Sequence, residues 1–341
     1  MPDPIAAIDR FPRVRLAHTP TPIESLANLS KRIGGARLAV KRDDCTGLAF
    51  GGNKVRQLEF YLGEARARGA DTILITGAVQ SNFVRLAAAA ARKCAMNCHL
   101  QLEERVSETG PAYRHSGNVL LDRLLGATLH SYPDGEDEAG ADRRLGEIAG
   151  ELAAAGRRPY VIPLSPGHPP LGALGYIDAA RELIGQYGDL GHGFDRIVVA
   201  SGSGNTHAGL LFGLRALGDA TPVTGVCVRR DATRQSGRIG ARCREIAELL
   251  GVENFVGDAD VVLSDEHLAP GYGTLNPAVR NALRLAGETE GLLLDPVYTG
   301  RAMAAALTLA RQHNGDESIL MIHTGGTPAL FAYGDNLIGR V

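Results

Sequence analysis

Lysine is nearly missing from this chain. Of 36 basic residues only four are lysine (Lys31, Lys41, Lys54 and Lys93), which leaves 32 arginines. Arginine does not lose its proton in proteins, so amine chemistry is confined to a short list. A net basic field is missing as well: 36 Lys and Arg meet 38 Asp and Glu, a formal charge of −2 with a pI of about 6.6. Nothing there holds a nucleic acid or an anionic membrane, so neither is expected as a partner. No apolar run approaches the roughly 18 residues a membrane helix needs. The cysteines (45, 94, 98, 227 and 243) are odd in number and lack paired metal spacing, which fits a reducing, cytoplasmic setting without a metal. The opening MPDPIAAIDRFPR carries acids and prolines where a secretory signal needs a basic and then an apolar stretch. No internal repeat and no low-complexity tract is visible.

What is present is 341 residues, 44% of them apolar, enough for one large or two modest domains. Short β-branched runs alternate with Ala/Leu/Arg-rich stretches. Strands are expected at Leu38–Lys41, Thr72–Thr76, Cys98–Leu102, Thr128–Tyr132, Tyr160–Pro163, Arg196–Ala200, Val223–Val228 and Ser318–His323. Helices are expected at Ile23–Ile33, Lys54–Arg68, Asn82–Lys93, Ala141–Gly156, Leu171–Gln186, Thr206–Leu217, Arg234–Leu250, Pro277–Glu290 and Gly300–His313. Such alternation argues for an α/β fold with mostly parallel sheets. The Gly- and Pro-rich segment Ser165–Gly175 is the natural crossing between two lobes.

In such folds ligands sit where strands run into helix N-termini. Four glycine-rich junctions of that kind stand out: GLAFGGNK (47–54), TGAVQSN (76–82), ASGSGNTHAG (200–209) and HTGGTPA (323–329). They fit one anionic ligand gripped from several sides, although glycine also simply closes turns. In ASGSGNTHAG a loop with Ser201, Ser203, Asn205 and Thr206 opens a helix, and its N–H groups hold a phosphate without any cation. A dinucleotide reading competes: Gly202, Gly204 and Gly209 put the third glycine two residues late for the usual fingerprint, and Arg229-Arg230 suits a 2′-phosphate.

Lys54 follows Gly51, Gly52 and Asn53 at a helix mouth, where the positive dipole end lowers an amine's pKa. A neutral amine is what a Schiff base with an aldehyde cofactor needs; a solvated first-turn lysine is the plainer alternative. Lys31 and Lys93 sit on helices, and Lys41 heads the ion-pair cluster Lys41–Asp44, so elimination leaves Lys54 as the best amine. Ser81 and Asn82 are ordinary N-caps or donors to a substrate carboxylate. Tyr272 and Tyr298 stand beside glycines, either as packed rings or as acids and bases.

These segments resemble one family. KRDD (41–44), GGNK (51–54), QSN (80–82), GALGY (172–176), the 201–209 loop, APGYG (269–273), DPVYTG (295–300) and IHTGG (322–326) are similar, in order, to the pyridoxal-phosphate-dependent branch of fold type II. That branch contains D-cysteine desulfhydrase, L-cysteate sulfo-lyase and 1-aminocyclopropane-1-carboxylate (ACC) deaminase. The likeness runs from about Phe11 to Tyr333. It implies a tryptophan synthase β-like α/β fold with two open twisted sheets, the cofactor lying in the cleft between lobes. The large domain would be residues 1–54 and 169–341, the small one 55–168, and the molecule a homodimer.

By the same resemblance Lys54 bonds the cofactor aldehyde, and Ser201, Gly202, Ser203, Gly204, Asn205 and Thr206 cradle its phosphate. Asn82 meets the ring hydroxyl, and Thr324 faces the ring nitrogen. Ser81 and its neighbouring amides take the substrate carboxylate, with Phe83, Gly167 and His168 bordering the substrate. Tyr272 and Tyr298 face the reacting carbons. ACC deaminases carry Glu after the tyrosine of DPVY and Leu at the later position; here both are threonine, Thr299 and Thr324. A hydroxyl near the ring nitrogen leaves the electron sink shallow, so prompt expulsion of a β leaving group is expected rather than cyclopropane opening.

The implied activity is β-elimination from a cysteine-like amino acid, D-cysteine or L-cysteate. RDDCTGLAFGGNK (42–54) and GNVLLDRLLGA (117–127) lean toward the cysteate lyases. Two departures bear on substrate: LSPGHPPL (164–171) replaces a run of small residues, and Phe83 stands where His or Gln is common. Remaining rivals are ACC-type ring opening, a relative with a changed substrate, an NADP-dependent oxidoreductase and a non-catalytic binding protein.

Overall fold

The computed structural model describes residues 4–107, 109–164 and 168–338. Its strands are β1 (Ile23–Ser25), β2 (Arg37–Lys41), β3 (Thr72–Ala78), β4 (Asn97–Glu103), β5 (Thr128–Tyr132), β6 (Pro159–Ile162), β7 (Arg196–Ser201), β8 (Val223–Cys227), β9 (Val262–Ser264) and β10 (Ser318–Ile322). They form a six-stranded sheet ordered β1-β2-β10-β7-β8-β9 and a four-stranded sheet ordered β5-β4-β3-β6. Every pairing is parallel except β1 with β2. This is the α/β architecture expected, with both sheets covered by helices.

Parallel strands covered on both faces read as unbroken apolar runs, and their alternation decides which core each residue joins. In β7, Ile197 and Val199 pack with helices Leu171–Leu190, Asn205–Ala216 and Ala232–Leu250. Val198 and Ala200 point the other way, toward helices Pro277–Glu290 and Thr299–Gln312. In β3, Ile73 and Ile75 meet helices Asn53–Ala67 and Asn82–Lys93, while Leu74 meets Leu145 and Ile148 of helix Glu138–Ala154.

The helix expected at Ile23–Ile33 begins only at Ala27. Residues 23–25 instead pair antiparallel with β2, and the Leu26 N–H donates to Leu38 O at 2.9 Å. Edge pairing satisfies backbone groups that a longer helix would have left against the sheet. The three-residue strand β9 and the short helices Pro111–His115 and Gly117–Leu124 carry too little periodicity to be read in advance.

Glycine matters most where helices cross. A Cβ on Gly175 would lie 2.3 Å from Arg56 O, and one on Gly209 would lie 2.4 Å from Ala173 O. The GALGY segment therefore lets helix Leu171–Leu190 close onto the helix that begins at Asn53.

Candidate active site

The carboxyl ends of β3, β7 and β10 open onto one cavity. Lys54, Ser81, Asn82, Phe83, Gly202, Ser203, Gly204, Thr206, Tyr272, Tyr298 and Thr324 all line it. Ser201 and Asn205, expected beside them, do not. The Ser201 hydroxyl is turned inward, accepting from Gln235 Nε2 at 2.9 Å and meeting His207 Nδ1 at 3.1 Å. Asn205 donates to the Tyr61 hydroxyl at 3.2 Å. His168 is exposed and borders a separate depression with Tyr61 and Tyr160. Gly167, with Ser165 and Pro166, lies outside the described residues.

Lys54 sits in the first turn of helix Asn53–Ala67, after Gly52 at φ +123. A Cβ on Gly52 would lie 2.9 Å from Thr324 O, so the two glycine-rich loops touch only because this residue has none. The amine is half-buried, lies 4.7 Å from the centre of the Phe83 ring, and has Gln57 Oε1 at 3.4 Å. No carboxylate pairs with it among the described residues. Desolvation lowers its pKa to about 8. A buried network holds the helix behind it: Arg56 bonds Asp43 at 2.9 Å and 3.1 Å and Glu182 at 2.9 Å, and Tyr176 donates to Asp43 at 2.6 Å. Lys41 joins through Glu182 and Thr21 O, so the charge cluster expected at 41–44 extends well beyond those residues.

Opposite stands the loop after β7. Gly204, at φ +108, is the N-cap of helix Asn205–Ala216, and no side chain caps it. The first N–H groups of that helix are left for a ligand. Thr206 adds a directed donor. Its Oγ1 accepts from Asn53 Nδ2 at 2.7 Å and from Gln57 Nε2 at 2.8 Å. With both lone pairs used, its proton is free to donate into the cavity. An uncapped helix, a glycine cradle and a hydroxyl forced to donate fit a phosphate group.

Ser81 caps helix Asn82–Lys93, accepting from Val84 N at 3.3 Å. Asn82 Oδ1 accepts from Asn118 Nδ2 at 2.9 Å, which leaves its amide NH2 for the cavity. Asn118 is held in turn by Gln80, donating from N to Oε1 at 2.9 Å and from Nδ2 to the Gln80 carbonyl at 3.0 Å. Sequence reasoning missed Asn118 as a contributor; no local pattern marks it.

The Tyr272 and Tyr298 hydroxyls are 2.8 Å apart, and burial pushes the Tyr298 phenol up. Asp295 fixes Tyr298 by accepting from the N–H groups of Val297, Tyr298 and Thr299 at 2.9, 2.9 and 2.7 Å. Thr299 Oγ1 also lies 2.7 Å from Asp295 Oδ1, so this threonine faces the helix start and not the cavity. Of the two threonines expected to distinguish elimination from ring opening, only Thr324 borders the cavity. The turn carrying Thr324 is set by buried His323, which accepts from Gly325 N at 3.1 Å and has Leu293 O 3.0 Å from Nε2.

Arg229 and Arg230, read as a site for a 2′-phosphate, are tied instead to Glu138, Arg229 at 2.6 Å. A second nitrogen of Arg229, Nη2, donates to Gly135 O at 2.8 Å, so both terminal nitrogens of Arg229 are engaged and it offers no free fork to a nucleotide.

Residues 14–325 match the family described as pyridoxal-phosphate dependent enzyme. A D-cysteine desulfhydrase of Salmonella typhi is 42% identical over 332 residues, spanning 97% of this chain and 98% of that protein. The D-cysteine desulfhydrase of Salmonella heidelberg (strain SL476) matches at the same identity and coverage. Among solved structures, an ACC deaminase homologue superposes with a TM-score of 0.87 at 39% identity, covering 99% of both chains. An O-ureido-L-serine synthase, at 19% identity and a TM-score of 0.64, shares the fold. The chain therefore belongs to the pyridoxal-phosphate-dependent enzymes of fold type II, and pyridoxal 5′-phosphate is its cofactor.

Proposed function

We propose that this enzyme is a β-elimination lyase that releases a sulfur group, pyruvate and ammonium from a cysteine-like amino acid, D-cysteine or L-cysteate. The observation that carries the reading is the Lys54 amine, lowered to about 8 in a cavity flanked by two sets of helix-start donors. Similarity to the D-cysteine desulfhydrases supports a sulfur leaving group. The chain would act as a cytoplasmic homodimer, with residues 55–168 as its small lobe.

When bound, the cofactor supplies an electron sink for negative charge at the substrate Cα. Lys54 anchors it and, once freed, takes the Cα proton as a neutral base. The donors of Gly202–Thr206 would hold the phosphate, and the Asn82 amide would donate to the ring hydroxyl. Thr324 would offer the ring nitrogen a hydroxyl where a carboxylate would deepen the sink. A shallow sink favours prompt departure of the β group and disfavours ring opening. Ser81 and the amides after it receive the substrate carboxylate. Tyr298 and Tyr272, on the same cavity wall, would face the reacting carbons, and the Phe83 ring packs against the Lys54 amine.

Ring opening is the second reading, favoured by the ACC deaminase homologue among the structural neighbours. Assaying pyruvate from D-cysteine and L-cysteate beside 2-oxobutanoate from ACC separates the two. Pyruvate alone, lost in Lys54→Ala, is expected; 2-oxobutanoate as the sole product overturns the reading.

A further inference from the structure

A group of charges on the cavity wall has no part in the chemistry above. Arg105, Arg229, Arg230 and Arg238 line it, and Glu138 is the sole carboxylate among the described lining residues. Glu138 opens helix Glu138–Ala154, while Arg229, Arg230 and Arg238 come from the far side, after β8 and on helix Ala232–Leu250. All three reach Glu138, Arg238 at 3.5 Å.

The four guanidinium groups are not equally occupied. Arg229 spends both terminal nitrogens, Nη1 on Glu138 and Nη2 on Gly135 O, and Arg238 donates to Ser203 O at 3.0 Å and Leu164 O at 3.2 Å. Arg105 spends Nε and Nη2 on one oxygen of Glu103, at 2.8 and 2.6 Å. Its Nη1 has no protein partner among the described residues, and neither do Nε and Nη1 of Arg230. The Arg105 guanidinium lies 6.0 Å from the centre of the Tyr272 ring, whose hydroxyl meets Tyr298. Both residues line the same cavity, and Arg105 is among the charges that lower the pKa of Arg230, so the two guanidinium groups lie near each other on its wall. Open guanidinium edges on a cavity wall match the planar or tetrahedral oxygens of an oxoanion.

We infer that Arg105 and Arg230 form a subsite for a second anionic group on the substrate side chain, so the enzyme takes an amino acid bearing an oxoanion such as a sulfonate at Cβ in preference to a neutral thiol. This rests on the proposed function for the reaction, but not for the binding. Between the two named substrates it selects L-cysteate.

The test uses the holoenzyme and two amino acids without a leaving group, aspartate and alanine in both enantiomers, titrated against the cofactor's visible absorbance. The wild type should bind one aspartate enantiomer at least about tenfold more tightly than the matching alanine, the effect of roughly one charge-assisted contact. Arg105→Gln and Arg230→Gln should collapse that ratio toward one while retaining cofactor. Equal affinities in the wild type, or variants that weaken both ligands alike or shed cofactor, overturn the subsite and leave the arginines as a latch between the two walls. Failure to form pyruvate from any sulfur substrate would overturn the proposed reaction while leaving the binding ratio to judge the subsite.

Discussion

Asn118 Nδ2 donates to Asn82 Oδ1 at 2.9 Å, and this contact decides which end of the Asn82 amide faces the cavity. The donor is itself buried and fixed by Gln80, so the orientation is built in before any ligand arrives. Replacing Asn118 by Asp sets an acceptor against an acceptor and turns the Asn82 oxygen toward the cofactor. Pyridoxal phosphate should then bind about tenfold more weakly, the cost of roughly one mis-set hydrogen bond. Spectroscopic titration of the apo-protein checks this; an unchanged dissociation constant shows that Asn118 does not orient Asn82.

Lys54 carries a pH signature in the apo-protein. Its folded pKa, about 8, lies below the 10.5 of a free lysine side chain. The unfolded chain therefore holds a proton that the folded one releases, and stability rises with pH between those values. Below pH 8 the cost is fully present, about 2 kcal/mol once water in the cavity is allowed for. Lys54→Met should exceed the wild-type apo-protein in urea stability at pH 7 by more than it does at pH 9.5. A difference that stays flat with pH contradicts the lowered amine.

Thr206 should act on the phosphate alone. Thr206→Ala removes the donor and should weaken pyridoxal phosphate by about tenfold to a hundredfold, as loss of a charge-assisted hydrogen bond does. Pyridoxal, which lacks the phosphate, should bind both proteins alike, and Thr206→Ser should restore affinity. Equal weakening of pyridoxal would show that Thr206 merely packs Asn53 and Gln57.

Asp295 links stability to site geometry. Its carboxylate, fully buried, accepts from three consecutive N–H groups and Thr299 Oγ1. Asp295→Ala leaves these donors unpaired at a helix start and should cost about 3 kcal/mol. Asp295→Asn should cost less. Urea denaturation measures both; a loss below about 1 kcal/mol would mean that solvent or a neighbour replaces the carboxylate.

Where residues speak through local pattern, the sequence was readable. The apolar runs of β3, β7 and β10, and the glycine-rich turns after them, locate the cavity because a parallel strand feeding a helix leaves its mark in adjacent residues. Ile23–Ser25 resisted the same reading, since pairing with β2 fixes its conformation and that partner lies elsewhere in the chain. Within the site, Lys54 stood out by scarcity of alternatives. Asn118 did not, because its partners Gln80 and Asn82 lie in a distant segment, and Arg105 did not, because its place on the cavity wall depends on the fold and its local pairing with Glu103 carries no spacing rule. Thr299 was legible as a difference between branches, but its inward turn toward Asp295 emerges only from the folded helix start.

The most direct measurement is pyruvate release from D-cysteine, L-cysteine and L-cysteate in parallel, on purified protein loaded with pyridoxal phosphate and showing its visible absorbance. Pyruvate from D-cysteine or L-cysteate, abolished in Lys54→Ala, is the predicted result and fixes chirality and leaving group together. A loaded protein that yields no pyruvate from any of the three would contradict the lyase assignment while retaining the cofactor.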